Sequence, residues 1–173
     1  MSSTLEKPAI TEYPEYFQNY TKLLPDGDVL LILEQQMDST LQLIEEIGED
    51  RAGHRYSPDK WSIKGVFGHV VDIERVFAFR ALVFGRGETT PLPGVEQDDL
   101  VAGGDFDSRS LQSIGEEFWH LRESNITLFK SFSKEAWMRI GSASGYELTV
   151  RSIPYIIAGH ERHHMGVICD RYL

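Results

Sequence analysis

Residues 160–164 read His160-Glu161-Arg162-His163-His164. The spelling is H-E-x-x-H, in which two histidines one helical turn apart hold zinc and the glutamate serves as the general base of a peptidase. The metzincin form of that pattern continues with a glycine and a third histidine, and those places hold Val167 and Asp170. No glutamate follows Glu161, so the downstream carboxylate used by other zinc peptidases is missing as well. A catalytic site of this kind needs three protein ligands, and the third must come from upstream.

Helical phase sorts the histidines of this stretch. At about 100° per residue, Ile153, Ile156, Ile157, Val167 and Ile168 share one apolar face. His160 and His164 fall near its middle, about 40° apart, and His163 sits about 80° to one side. Two imidazoles inside an apolar stripe must satisfy two ring nitrogens each, and both cannot be charged cheaply side by side. A metal ion that accepts a lone pair from each is the favoured solution. A pair of core histidines bonded to carboxylates or backbone is the alternative.

His69, in G-H-V-V-D-I-E-R, is the best upstream partner; taken alone it reads as a half-buried surface histidine. His120 falls off the apolar stripe of its helix and is expected to be solvated, and His54 precedes Pro58 in a loop. Other residues could serve such a centre. Glu161 is a candidate base, but it falls about 60° from His164 at the edge of the buried face, so a surface carboxylate is the expectation. Asp72 follows His69 by three residues and could orient its ring. Asn125 interrupts an apolar stripe and must find partners, facing either the site cavity or a backbone group. Arg80 could bind an anionic substrate; a structural ion pair with Glu74 is the plainer reading. Trp61 is expected in the core, and Cys169 on the polar side of its helix with nothing to mark it as a nucleophile.

Four helices must position these groups. The first spans about 28–47, with Leu30, Leu33, Met37, Leu41, Ile44 and Ile47 at three-four spacing and Gly48 as a stop. The second spans about 62–84, capped by Ser62 and ended by Gly85. The third spans about 108–132 and carries Leu111, Ile114, Phe118, Leu121, Asn125, Leu128 and Phe132. The fourth spans about 152–172, with Pro154 in its first turn, where a missing N–H costs little. A long loop rich in proline and glycine joins the second and third, and residues 138–150 read as a short hairpin. The expected architecture is all-α: a four-helix bundle with one long crossover, comprising residues 26–173 after an N-terminal extension of residues 1–25.

The chain has 173 residues and a formal net charge of −10. An acidic chain without a basic stripe is not expected to bind nucleic acid. No stretch reaches the length of a membrane span, the N-terminus has no apolar leader core, and the single cysteine permits no internal disulfide. A cytoplasmic location is the expectation.

Three stretches together resemble the DinB-like superfamily of four-helix metal-binding proteins (DinB/YfiT-like): Y-S-P-D-K-W-S-I-K at 56–64, G-H-V-V-D-I-E-R-V-F-A-F-R-A-L at 68–82 and I-P-Y-I-I-A-G-H-E-R-H-H-M-G-V-I at 153–168. The resemblance runs through nearly the whole chain from about residue 26. It implies one divalent metal ion, commonly nickel or zinc, on His69, His160 and His164. It also implies a frequent homodimer and activities that include thiol-dependent transfer, with a low-molecular-weight thiol, isomerisation and metal-dependent hydrolysis. A non-catalytic metal or ligand-binding bundle is the alternative. Three imidazoles by themselves accept zinc, nickel, copper or iron.

Overall fold

The structure, a computed structural model, describes residues 5–173. A single-turn helix α1 (Gln18–Thr21) precedes the first long helix, α2 (Val29–Ala52). Then follow α3 (Ile63–Gly85), a short α4 (Gln97–Gly104), α5 (Leu111–Lys130) and the single-turn α6 (Lys134–Trp137). Strands β1 (Ile140–Ala143) and β2 (Tyr146–Thr149) form an antiparallel hairpin before α7 (Ser152–Val167), which runs on as a π-helical turn, Ile168–Tyr172.

Three of the four long helices begin on a side-chain cap, and α7 begins without one. Asp28 accepts a hydrogen bond from the Leu30 amide, Ser62 from that of Gly65 and Ser110 from that of Ser113, each satisfying an orphan donor of the first turn. Gly48 does break α2, with a φ of 65°, but the chain resumes one more helical turn to Ala52. The long crossover is more ordered than its proline and glycine content suggests. It folds α4, and Leu92 bridges to the hairpin through its amide on the Ser142 carbonyl, 2.9 Å.

Two apolar clusters fill the bundle. One gathers the start of α2, the ends of α3 and α5 and the start of α7: Leu33, Phe77, Phe84, Phe129, Ile153 and Ile156. The other gathers the opposite ends: Ile44, Ile63, Val70, Ile114, Phe118 and Ile168. So α2 runs with α7, α3 runs with α5, and the crossover is the return path that makes α3 and α5 parallel. Between the clusters lies a buried polar waist of Thr40, His69, Glu74, Arg122, Asn125, His160 and Glu161.

Candidate metal centre

His69 stands two turns into α3, and its neighbour Gly68 is the reason the crossover can approach it. A Cβ on Gly68 would meet the Phe106 ring at 2.4 Å. Gly159 plays the same part on α7, because a Cβ there would lie 2.5 Å from the backbone of Tyr20. The N-terminal segment therefore lies directly over α7, and the Tyr20 ring stands edge-on to His160 and His163 at 5.4 and 5.3 Å. The sequence reading missed this cover; a glycine next to an inward histidine was the available signal.

Ligand nitrogens of His69, His160 and His164 lie within 4.8 Å of one another. The ring centroids are 4.9 Å apart for His69 and His160, 4.7 Å for His69 and His164, and 4.5 Å for His160 and His164. His69 is 1% exposed and His160 is also buried, while His164 is partly open. Burial is the main influence on all three rings. It takes His69 down to about 4 against a small opposing pull from Asp98. It takes His164 down to about 3, aided by the neighbouring imidazoles His69 and His163. His160 is driven well below the ordinary value by burial and then by the other three histidines.

Three neutral imidazoles thus converge on one point. The Nε2 atoms of His69 and His160 face each other at 3.0 Å, and buried Nδ1 of His69 has no hydrogen-bond partner among the described residues. A direct contact between two such nitrogens can use only one proton. A cation about 2.0–2.1 Å from each would use both lone pairs. The donor set therefore fits a divalent metal ion. His163 and His120 are exposed, as helical phase requires, and so is His54.

The surrounding candidates fall differently. Glu161 is not a surface carboxylate: it is 1% exposed and accepts hydrogen bonds from Thr40 Oγ1 (2.6 Å) and Arg122 Nη2 (2.7 Å). Burial pushes its carboxyl up against the pull of Arg122. Arg122 was not anticipated. It is fully buried, donates to both oxygens of Glu74 (2.8 and 2.7 Å) and also to the Leu33 carbonyl. Asn125 joins this network, donating to Glu74 Oε1 at 3.0 Å, so it faces neither a site cavity nor a backbone group. The missed signal is the spacing of Arg122 and Asn125, which puts two polar side chains on one helical face.

Asp72 does not orient His69; it points to Arg75, 3.9 Å away. Arg80 does not pair with Glu74, whose oxygens Arg122 already occupies, and bonds instead to Ser144 Oγ (3.0 Å) and the Pro93 carbonyl (3.4 Å). Trp61 is only half-buried, its indole 4.8 Å from the His69 ring. With Ser62, Gly65, Asp98, Val101 and Phe106 it lines a cavity of about 270 Å³, so Trp61 stands between that cavity and the His69 ring. Cys169 is exposed.

A four-helix bundle with a parallel middle pair and three clustered histidines defines a recognisable class. The DinB superfamily model matches residues 32–168, and the chain belongs to that superfamily. A comparison with curated protein sequences finds no match. Among solved structures, the chain is similar to YfiT from Bacillus subtilis, a probable metal-dependent hydrolase with an unusual four-helix bundle topology. The TM-score is 0.73 at 15% identity, covering 95% of this chain and 90% of that one. It is also similar to the mycothiol-dependent maleylpyruvate isomerase, with a TM-score of 0.68 at 13% identity, covering 84% of this chain and 61% of the isomerase. At these identities the likeness establishes the all-α bundle. Among the described residues no helix is long and apolar enough to cross a membrane.

Proposed function

We propose that this chain binds one divalent metal ion, nickel or zinc, through His69, His160 and His164 and uses it on a small-molecule substrate, as a thiol-dependent transferase or a hydrolase. The carrying observation is the convergence of three imidazole nitrogens from two helices within 4.8 Å in the bundle interior. A metal held there would supply a Lewis acid able to polarise a carbonyl, hold a thiolate or activate water. Burial favours the neutral imidazoles, and the 270 Å³ cavity lined by Trp61, whose indole is 4.8 Å from the His69 ring, would give a small molecule a place next to them. The isomerase neighbour supports a thiol co-substrate and YfiT supports hydrolysis.

A non-catalytic metal or ligand-binding role is the second reading. It is favoured by Glu161, whose oxygens are both engaged by Thr40 and Arg122, which leaves the H-E-x-x-H glutamate no freedom to act as a base. Metal content of purified protein, measured by mass spectrometry after supplementation with nickel and zinc, tests the shared premise. About one ion per chain is expected for wild type and far less for His160→Ala. Wild type without stoichiometric metal removes the enzyme reading and the metal-binding form of the second. Metal-loaded protein assayed for thiol conjugation and ester hydrolysis then separates them, since activity lost in His160→Ala identifies the enzyme.

A further inference from the structure

Three cations are buried among the described residues: Lys64, Arg80 and Arg122. Lys64 pairs with Glu49, and Arg122 with Glu74 and Glu161. Arg80, 7% exposed, meets no carboxylate among the described residues. Its Nη2 donates to two neutral oxygens, Ser144 Oγ and the Pro93 carbonyl, and its Nε and Nη1 have no acceptor among the described residues. Phe77 lies under the guanidinium, 5.1 Å from ring centroid to Cζ. Burial pushes the guanidinium below its ordinary value with no anion opposing it. Neither Nε nor Nη1 is sealed from solvent, so the charge is under-paired and open to an anion, which would gain a charge-assisted hydrogen bond there.

Arg80 lines a cavity of about 460 Å³ together with Tyr16, Phe17, Ala143, Tyr146 and Leu148. Glu15 stands at its rim and makes no ion pair with Arg80. One wall is fixed. Leu92 pins the crossover to the hairpin through Ser142 and Ser144 at 2.9 and 3.1 Å, which holds Pro93 and Ser144 in place. Arg80 follows His69 by eleven residues on α3, roughly 16 Å along the axis, so the cavity is separate from the histidine cluster.

We propose that this cavity is a second small-ligand site, which takes a monocarboxylate with an apolar or aromatic body. The guanidinium N–H groups without acceptors would receive the carboxylate, and the aromatic and aliphatic walls would bury the body. A single guanidinium matches one negative charge, and a planar fork matches a carboxylate. The mostly carbon lining disfavours a small dianion such as phosphate, which would stay half-neutralised and stripped of water.

Benzoate, its neutral isostere benzamide and inorganic phosphate are the probes, titrated by calorimetry and thermal denaturation against full-length protein, metal-loaded and chelator-treated. Benzoate is expected to bind saturably and raise Tm equally in both forms, which separates this site from the metal centre and leaves either reading able to fail alone. Benzamide is expected to bind far more weakly. Arg80→Gln is expected to lose roughly tenfold to a hundredfold in benzoate affinity, the worth of a charge-assisted hydrogen bond. Ser144 is exposed, at a φ of 56° that aspartate tolerates. Ser144→Asp puts a carboxylate against Nη2 of the same guanidinium and neutralises the charge that the ligand needs, so it is expected to raise Tm without ligand and to weaken benzoate binding sharply. Benzamide binding as tightly as benzoate, phosphate binding more tightly, no saturable benzoate binding to wild type, or wild-type benzoate affinity in Ser144→Asp would each overturn the proposal.

Discussion

Glu161 sits beside His160 in sequence, yet both its oxygens are committed elsewhere, to Thr40 of α2 and Arg122 of α5. The carboxylate acts as a bolt between three helices. Removing the cation at its centre should be severe, because Arg122→Ala leaves Glu74 and Glu161 buried without their shared partner. We expect a loss of about 3–5 kcal/mol in urea unfolding, the usual cost of breaking a buried pair. Glu161→Gln keeps a hydrogen-bonding side chain in the network and leaves the histidines untouched. Its metal content should equal that of wild type, and a loss as deep as that of His160→Ala would instead make Glu161 part of the metal centre. The two kinds of residue differ in legibility for a physical reason. His160 and His164 lie at the middle of a stripe, where a phase error of a few tens of degrees changes nothing. Glu161 lies at the stripe's edge, where burial is decided by what α2 and α5 bring, and one helix's period carries no information about that.

The same division holds for whole elements. The four long helices repeat their apolar spacing often enough for period and caps to place them within a few residues, and the hairpin follows from its flanking glycines and alternation. Helices α1 and α4 are too short to show a period, and their positions come from docking on α7 and α3. Gly159 makes the first of these dockings possible. Gly159→Ala should push the 13–21 segment off α7, cost roughly 1–3 kcal/mol by overpacking and disturb the neighbouring His160. A wild-type Tm in that variant would contradict the close backbone approach. The segment is also tied down by Glu12, which accepts from Arg151 Nε at 2.6 Å and Thr149 Oγ1 at 2.9 Å. The Arg151 hydrogen bond is the chief cause that holds its carboxyl down at about 2 instead of 4.5. A depressed carboxylate contributes stability that is whole above its unfolded value and lost as pH falls through the folded one. The stability gap between wild type and Glu12→Gln should therefore be widest, up to ~2 kcal/mol, above pH 4.5 and should close as pH falls to about 2. A gap constant over that range would mean that the ion pair contributes nothing.

Seen as a whole, the molecule has two apolar halves separated by a polar waist, and the waist contains both the buried ion network and the histidine cluster. The network joins α2, α5 and α7 to α3 through fixed hydrogen bonds. The histidines join α3 to α7, and in the absence of an ion that join is a nitrogen–nitrogen contact plus an unpartnered Nδ1 on His69. An ion that binds the folded arrangement and not the unfolded chain stabilises by mass action, by about 4 kcal/mol at a thousandfold excess over its dissociation constant. For a chain of this length each kcal/mol moves Tm by about 2–4 °C. Chelation of metal-loaded protein should therefore lower Tm by roughly 10 °C, and zinc or nickel should restore it. His69→Ala should show little response to either treatment, because two ligands on α7 alone no longer bridge the helices. Because Arg122 and its carboxylates stay intact in that variant, its far-ultraviolet spectrum should remain helical. A wild-type Tm indifferent to chelator and to both metals would place the whole stability of the waist in the Arg122 network and leave the histidines as packing.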